Sequence, residues 1–215
     1  MPNTATAIAA SETPPEPAKR KRGRPVQDAS ESLRQELLDQ SARLFRDKGY
    51  GNTTVRDIAA ATGIHAGSWF YHFKTKHDIL VAVVELGLTQ SLDEIEALGV
   101  AQLPAREALR RLIRQHLHTL LGPKQDYIPV MLYEWRSLEA DAQRRIVGLL
   151  DRYEAVWDEV IGRLHQSGEW SMPTKLDRLL LFGALNWSVK WYKPNVGDSL
   201  DELAETALQF ILRTA

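Results

Sequence analysis

Cysteine is absent from the 215 residues, which excludes disulfides, thiolate metal sites and a cysteine nucleophile. No apolar run approaches the roughly 18 residues that a membrane span needs. The first 18 residues also lack the charged start and apolar stretch of a secretory leader, so a soluble, cytoplasmic chain is expected. Strand alternation and internal repeats are missing as well. Of the familiar reaction motifs, there is no Gly-rich phosphate loop, no Gly-x-Ser-x-Gly and no His-Glu-x-x-His. His116 and His118 stand two apart, so on one helix they diverge and make a poor metal pair. No catalysed reaction, no cofactor and no metal are expected.

Net charge is nearly absent too, at −1, but its distribution is not even. Residues 19–76 hold 12 Lys+Arg against 6 Asp+Glu, whereas residues 77–215 hold 15 against 20. A small basic unit that meets a polyanion, followed by a larger acidic one, is the simplest reading.

The first 29 residues, with five of the ten prolines and almost nothing to bury, are expected to form a disordered basic arm. Beyond them the patterning is helical. Leu33, Leu37, Leu38, Leu44 and Phe45 line one face of a helix near 32–48, which Gly49 stops. Thr54 with Asp57, and Thr75 with Asp78, have capping-box spacing and open further helices. Between these, Ala66–Phe73 can make only two turns. From Gly99 onward Pro and Gly punctuate helices near 104–121, 126–138, 140–166, 174–192 and 199–213. The expected fold is all-α: a three-helix helix-turn-helix domain at 30–76, then a larger helical domain for ligand binding and dimerisation at 77–215.

The most specific signal lies in 54–73. Ala59, Gly63 and Trp69 have the spacing at which two helices cross in a helix-turn-helix: a small residue at the crossing, a glycine in the turn and an apolar plug. On the second helix Trp69 and Phe73 share the inward face, which leaves Ala66, Gly67, Ser68, Phe70 and Tyr71 for the major groove. Upstream, Lys19-Arg20-Lys21-Arg22-Gly23-Arg24-Pro25 is a flat cationic segment whose Arg22 and Arg24 suit a narrow A·T-rich minor groove; a solvated arm adding phosphate affinity is the plainer alternative.

These residues resemble the TetR family of bacterial transcriptional regulators. Leu44-Phe45, Lys48-Gly49-Tyr50, Thr53 through Ala59, Gly63-Ile64 and Gly67 through Lys76 are similar to that family's DNA-binding domain almost end to end. The resemblance implies that Thr54, Tyr71, His72, Lys74 and Lys76 touch phosphates or frame the groove, while residues 66–71 approach the bases. Where many members carry Lys or Arg this chain has Ala66, and Phe70 replaces a Tyr. Readout then falls to Ser68, Tyr71, the backbone at Gly67 and apolar contact with thymine methyls.

In the larger domain five of six tryptophans lie past residue 130, and the segment 176–192 is apolar on almost every face, the mark of a helix buried between partners. Core and subunit interface compete with an apolar pocket as its purpose. Tyr133 through Leu138, Gly183 through Trp187 and Asp201 through Ala204 are similar to TetR-type repressors of steroid-ring and fatty-acid breakdown, which acyl-CoA thioesters release from DNA. That likeness implies a ligand site of Met131, Trp135, Arg136, Trp157, Asn186, Trp187, Lys190 and Trp191, with Trp187 and Trp191 against a bulky or long acyl part. Arg136, Arg178, Lys190 and Lys193 would face the CoA phosphates.

The resulting expectation is a homodimeric repressor that binds a palindromic double-stranded operator and is released by a small apolar effector, with no membrane partner. An architectural binder of A·T-rich DNA, or an enzyme acting on acyl-CoA, are the alternatives. Insensitivity of DNA binding to every metabolite would mark the first, and thioester turnover the second.

Overall fold

A computed structural model describes residues 26–64, 66–123, 125–171, 174–194 and 196–213; Arg22, Arg24 and the rest of the arm through residue 25 lie outside them. The described residues form nine α-helices joined by turns and three short 3₁₀ helices, with no strand among them. Helix α1 spans Val26–Lys48, beginning six residues earlier than its apolar pattern suggests. Val26 directly follows Pro25 in the sequence, and proline is suited to the first turn of a helix because it has no N–H to lose there. Residues 26–29, expected in the arm, are therefore the first turn of α1.

Helix α2, Val55–Thr62, starts at a reciprocal cap. Thr54 Oγ1 accepts from Asp57 N at 3.1 Å, and Asp57 Oδ2 accepts from Thr54 N at 2.8 Å. Gly63 then adopts φ +67°, the left-handed conformation that lets the chain leave the helix and turn at once. Helix α3 is Ala66–His72. Thr75 and Asp78 repeat the reciprocal cap at the head of α4, Lys76–Ala97. These two boxes, both legible in the sequence, fix where α2 and α4 begin.

The remaining helices are α5, Ala105–Leu121; α6, Tyr127–Glu134; α7, Ala140–Gln166; α8, Lys175–Trp187; and α9, Leu200–Arg213. Two of the long expected helices are shorter, because each ends in a 3₁₀ turn, Trp135–Ser137 after α6 and Ser188–Lys190 after α8.

Apolar residues sort into two cores. One gathers Leu37, Phe45, Ile58, Trp69 and Phe73 with Ile79, Val83 and Val84 of α4 and Ile128 and Val130 of α6. The other is built from Leu92 and Ile95 of α4 and the facing sides of α5, α7, α8 and α9. Helix α4 thus runs through both, and the first core continues well past residue 76, where the DNA-binding unit was expected to stop.

Helix α6 lies close against α4 because residue 87 has no side chain: a Cβ there would stand 2.5 Å from Tyr127 Cβ. Tyr127 in turn donates its hydroxyl to Asp39 and accepts from Gln35 Nε2, both on α1, so it has little room to retreat. Gly87→Ala gains about 1 kcal/mol in helix propensity but incurs an overpacking cost of about 1–3 kcal/mol. With the collision at a backbone-anchored carbon, the clash should win. A lower urea midpoint at unchanged m-value is expected; a variant as stable as the parent would show that α6 shifts freely.

Candidate nucleic-acid interface and ligand cavity

Helix α3 is two-faced. Trp69 is fully buried and Phe73, just past the helix, is nearly so, their ring centroids 6.4 Å apart, while Phe70 is 63% and Tyr71 82% exposed. An aromatic pair exposed beside an aromatic pair buried is not what folding alone would select, since the outward rings gain nothing from the core. His72 packs edge-on to Tyr71 at 5.2 Å, and Thr54 and Lys74 are exposed at the ends of the same unit. Ala66, Gly67 and Ser68 lie in the first turn of α3; their side chains are outside the described set.

Lys76 is placed differently from the expectation. Its ammonium turns inward and donates to the carbonyls of Tyr50 and Thr53, each at 2.7 Å, and lies 4.2 Å from the centre of the Tyr50 ring. It clasps the start of α4 to the α1–α2 turn, using on backbone oxygens the donors a phosphate would need. The resemblance implied a phosphate contact; in the folded chain the ammonium is taken up by the two carbonyls of the α1–α2 turn instead.

A cavity of about 200 Å³ lies between the two cores, lined by Leu88, Ser91, His116, Thr119, Ile128, Met131, Leu132, Leu150, Tyr153, Glu154, Phe182 and Asn186. Of the expected ligand residues it includes Met131 and Asn186. Trp157 is fully buried one layer behind, edge-on to Phe182 at 5.1 Å and to His116 at 5.7 Å. Trp135 packs half-buried on the first core, and Arg136 is exposed.

Trp187, Lys190 and Trp191 stay outside the cavity. Trp187 is 63% and Trp191 53% exposed, and Lys190 lies over the Tyr133 ring at 4.1 Å. Helix α8 ends at Trp187 and tightens to 3₁₀ geometry, so the two tryptophans are no longer stacked one α-helical turn apart. Arg178 is buried in an ion pair with Glu154 and with Asp158 at 3.0 Å, which commits it to its own fold rather than to a ligand.

His116, read from the sequence only as half of a poor metal pair, is satisfied by its neighbours: Nδ1 lies 3.0 Å from Tyr153 Oη and Nε2 2.9 Å from Asn186 Oδ1, with Phe182 stacked on the ring. That it lines the cavity was missed, although a signal existed. On α5 it interrupts the apolar stripe of Leu109, Leu112, Ile113, Leu117 and Leu120. Ser91 interrupts α4 between Leu88 and Leu92 in the same way.

A second, larger cleft of about 840 Å³ lies open between the α5–α6 turn and the approach to α9. Asp198, Asp201 and Glu202 edge it, so an anionic ligand would meet carboxylates there. The smaller, largely apolar cavity is the better ligand site.

A helix-turn-helix with an outward aromatic face, joined through α4 and α6 to a helical unit that carries an apolar cavity, is the architecture of a DNA-binding transcriptional regulator. The chain belongs to the TetR family of bacterial regulatory proteins. The tetR-family model for bacterial regulatory proteins matches residues 37–83, and the model for the tetracyclin repressor-like C-terminal domain matches residues 102–215. The HTH-type transcriptional repressor KstR2 of Rhodococcus jostii is 28% identical over 195 residues, covering 87% of this chain and 94% of its own. The solved structure of superantigen PfiT is 39% identical with a TM-score of 0.70, covering 86% of this chain and 98% of that one. AibR, solved with isovaleryl coenzyme A and operator DNA, superposes with a TM-score of 0.76 over 83% of this chain and 97% of its own, and at 21% identity it shows the fold.

Burial pushes the His116 pKa down from 6.5 to about 4. The unfolded chain therefore binds a proton that the folded one refuses between those values. The resulting stability is full above pH 6.5 and is lost as the pH falls toward 4. Between pH 7.5 and 5 this histidine should account for a loss of about 2 kcal/mol. Urea unfolding of the parent and of His116→Gln at both pH values measures it; equal pH slopes in the two proteins would remove the histidine as the cause.

Proposed function

We propose that this regulator is a homodimeric repressor that binds a palindromic operator through α3 and leaves it when the short apolar acyl part of an acyl-CoA occupies the cavity. The observation that carries the reading is the exposed pair Phe70 and Tyr71 on a helix held in place by Trp69 and Phe73. Ala66, Gly67 and Ser68 would approach the bases beside them. Thr54, His72 and Lys74 would meet phosphates, and Arg22 and Arg24 would add a minor-groove contact. The repressor KstR2 supports the direction of control. A two-turn helix buries too little for a specific complex alone, so two copies about 34–36 Å apart are needed.

The second copy has a surface to dock on. Leu176, Leu180, Gly183 and Trp187 recur on one face of α8, with Leu180 74% exposed, and an apolar stripe of that length is normally covered. Trp187 thus serves the interface in this reading, as does the outward side of α9.

The acyl-CoA assignment draws on a cavity lined mainly by apolar groups and on the isovaleryl coenzyme A bound by AibR, a protein of the same fold. At about 30 Å³ per water-sized group, 200 Å³ holds about seven such groups. A short or branched acyl part fits this volume, in place of the bulky or long one that the sequence suggested. The nucleotide would remain outside, where Arg136, Lys190 and Lys193 are exposed.

An operator selected from random duplexes and titrated with the protein tests the reading. Tyr71→Ala should weaken specific binding at least about tenfold with an unchanged melting temperature, whereas Trp69→Ala should instead melt early by opening a core cavity. Short-chain acyl-CoAs should displace the parent protein. A stable Trp69→Ala protein that has lost only discrimination would show α3 to be rotated, and failure of every thioester at sub-millimolar concentration would end the acyl-CoA assignment.

Leu180→Asp should convert the dimer to monomer in sedimentation velocity and with it abolish operator binding at concentrations where the parent is saturated. A dimer of parental stability would place the interface elsewhere.

A further inference from the structure

The polar groups lining the cavity are almost all occupied. Ser91 donates its hydroxyl to Gly87 O at 2.7 Å, and Thr119 donates to Glu94 Oε2 at 3.1 Å. With Asn186 Oδ1 set 2.9 Å from His116 Nε2, the imidazole carries its proton on Nε2, and Nδ1 accepts from the Tyr153 hydroxyl at 3.0 Å. Glu154, ion-paired with Arg178, offers only acceptors. Among the described residues, one set of side-chain donors lining the cavity has no acceptor: the two N–H groups of Asn186 Nδ2.

We propose that Asn186 reads a neutral carbonyl oxygen on the effector, with His116 and Tyr153 as positioning residues that hold its amide by the oxygen and leave Nδ2 for the ligand. This rests on the reading of the cavity as the effector site and adds what the cavity selects. A ligand that fills the cavity strips water from this amide, and an N–H then left without an acceptor carries a desolvation cost, so the site favours molecules that bring one. The same lining disfavours a carboxylate. Among the described residues no lysine or arginine lines the cavity, the one charged lining residue is Glu154, and burial keeps His116 neutral. A buried anion would find a carboxylate and no cation. Thioesters, esters and ketones therefore bind, and the corresponding free acids do not compete.

The pairing also explains why the histidine is buried at all. Phe182 stacks on one face of His116 at 5.4 Å, and Trp157 stands edge-on, so the ring cannot turn away and Asn186 is presented in one orientation. A leucine at 116 would fill the same volume but would leave the amide free to rotate.

The test uses the full chain, tryptophan fluorescence or calorimetry, and four probes: hexanoyl-CoA, the thioether S-hexyl-CoA, methyl hexanoate and hexanoate. The thioether keeps the chain and the nucleotide and lacks only the carbonyl oxygen. The parent should bind hexanoyl-CoA about tenfold more tightly than S-hexyl-CoA, and methyl hexanoate more tightly than hexanoate. Asn186→Asp keeps an acceptor for His116 and loses both N–H groups; Asn186→Leu loses the whole amide. In both, hexanoyl-CoA should fall to the level of S-hexyl-CoA while S-hexyl-CoA itself changes less than about twofold, a comparison that global loss of fold cannot imitate. Equal binding of thioester and thioether by the parent, or persistence of the difference in both variants, overturns the inference. If neither CoA compound binds but an Asn186-dependent preference for methyl hexanoate remains, the acyl-CoA assignment falls and the carbonyl reading stands. If none of the four binds, both fall.

Discussion

The close approach of α4 and α6 at Gly87 is the constraint on which the rest of the molecule depends. With no side chain at 87, Tyr127 can sit against α4, and from that contact α6 extends toward both halves of the chain. Ile128, Met131 and Leu132 line the cavity. At the ends of the helix, Asp126 pairs with Arg46, Tyr127 with Asp39, and Glu134 Oε1 accepts the backbone N–H of Tyr50 at 2.9 Å. An eight-residue helix is therefore a wall of the ligand space and, through its termini, a fastening for α1 and the turn before α2.

Under the proposed function, that arrangement would carry the coupling between the two halves. A ligand shifts an equilibrium only by the difference in its affinity for the two states, so a molecule that fits the cavity equally well in both would leave the DNA-binding unit where it was. What can differ is the position of α6, because three of its residues meet the ligand space and its ends are bonded to the other unit. Close-packed interiors pass such shifts on instead of absorbing them. Lys76 strengthens the link at the other end of the first core, joining the start of α4 to the same turn that Glu134 holds.

Much of this was legible in the chain. Thr54–Asp57 and Thr75–Asp78 announced helix starts because a reciprocal cap needs only four consecutive residues, and Gly63 announced a stop for an equally local reason. The rotation of α3 was legible because Trp69 and Phe73 share a face and Trp69 has the spacing from Ala59 and Gly63 at which the plug of a helix-turn-helix falls. What could not be read depends on contacts between distant segments. Trp187 and Trp191 looked like pocket residues since periodicity shows that a face is apolar but not what covers it. Lys76 looked like a phosphate clamp since only the folded chain brings the Tyr50 and Thr53 carbonyls within its reach. His116, Tyr153 and Asn186 come together from three helices, and each alone is an ordinary polar interruption in an apolar stripe.

The division of α3 into inward and outward aromatics has a consequence for how such a protein diversifies. Phe70 and Tyr71 are exposed, so replacing them removes little buried area, and surface substitutions of that kind usually change stability by less than about 0.5 kcal/mol. Trp69 and Phe73 carry the cost of anchoring the helix. Duplicated copies of the gene can therefore sample new outward residues without crossing the stability threshold that limits most mutations. The target can drift while the scaffold stays fixed, and two descendants can come to bind different DNA with the same core and the same cavity.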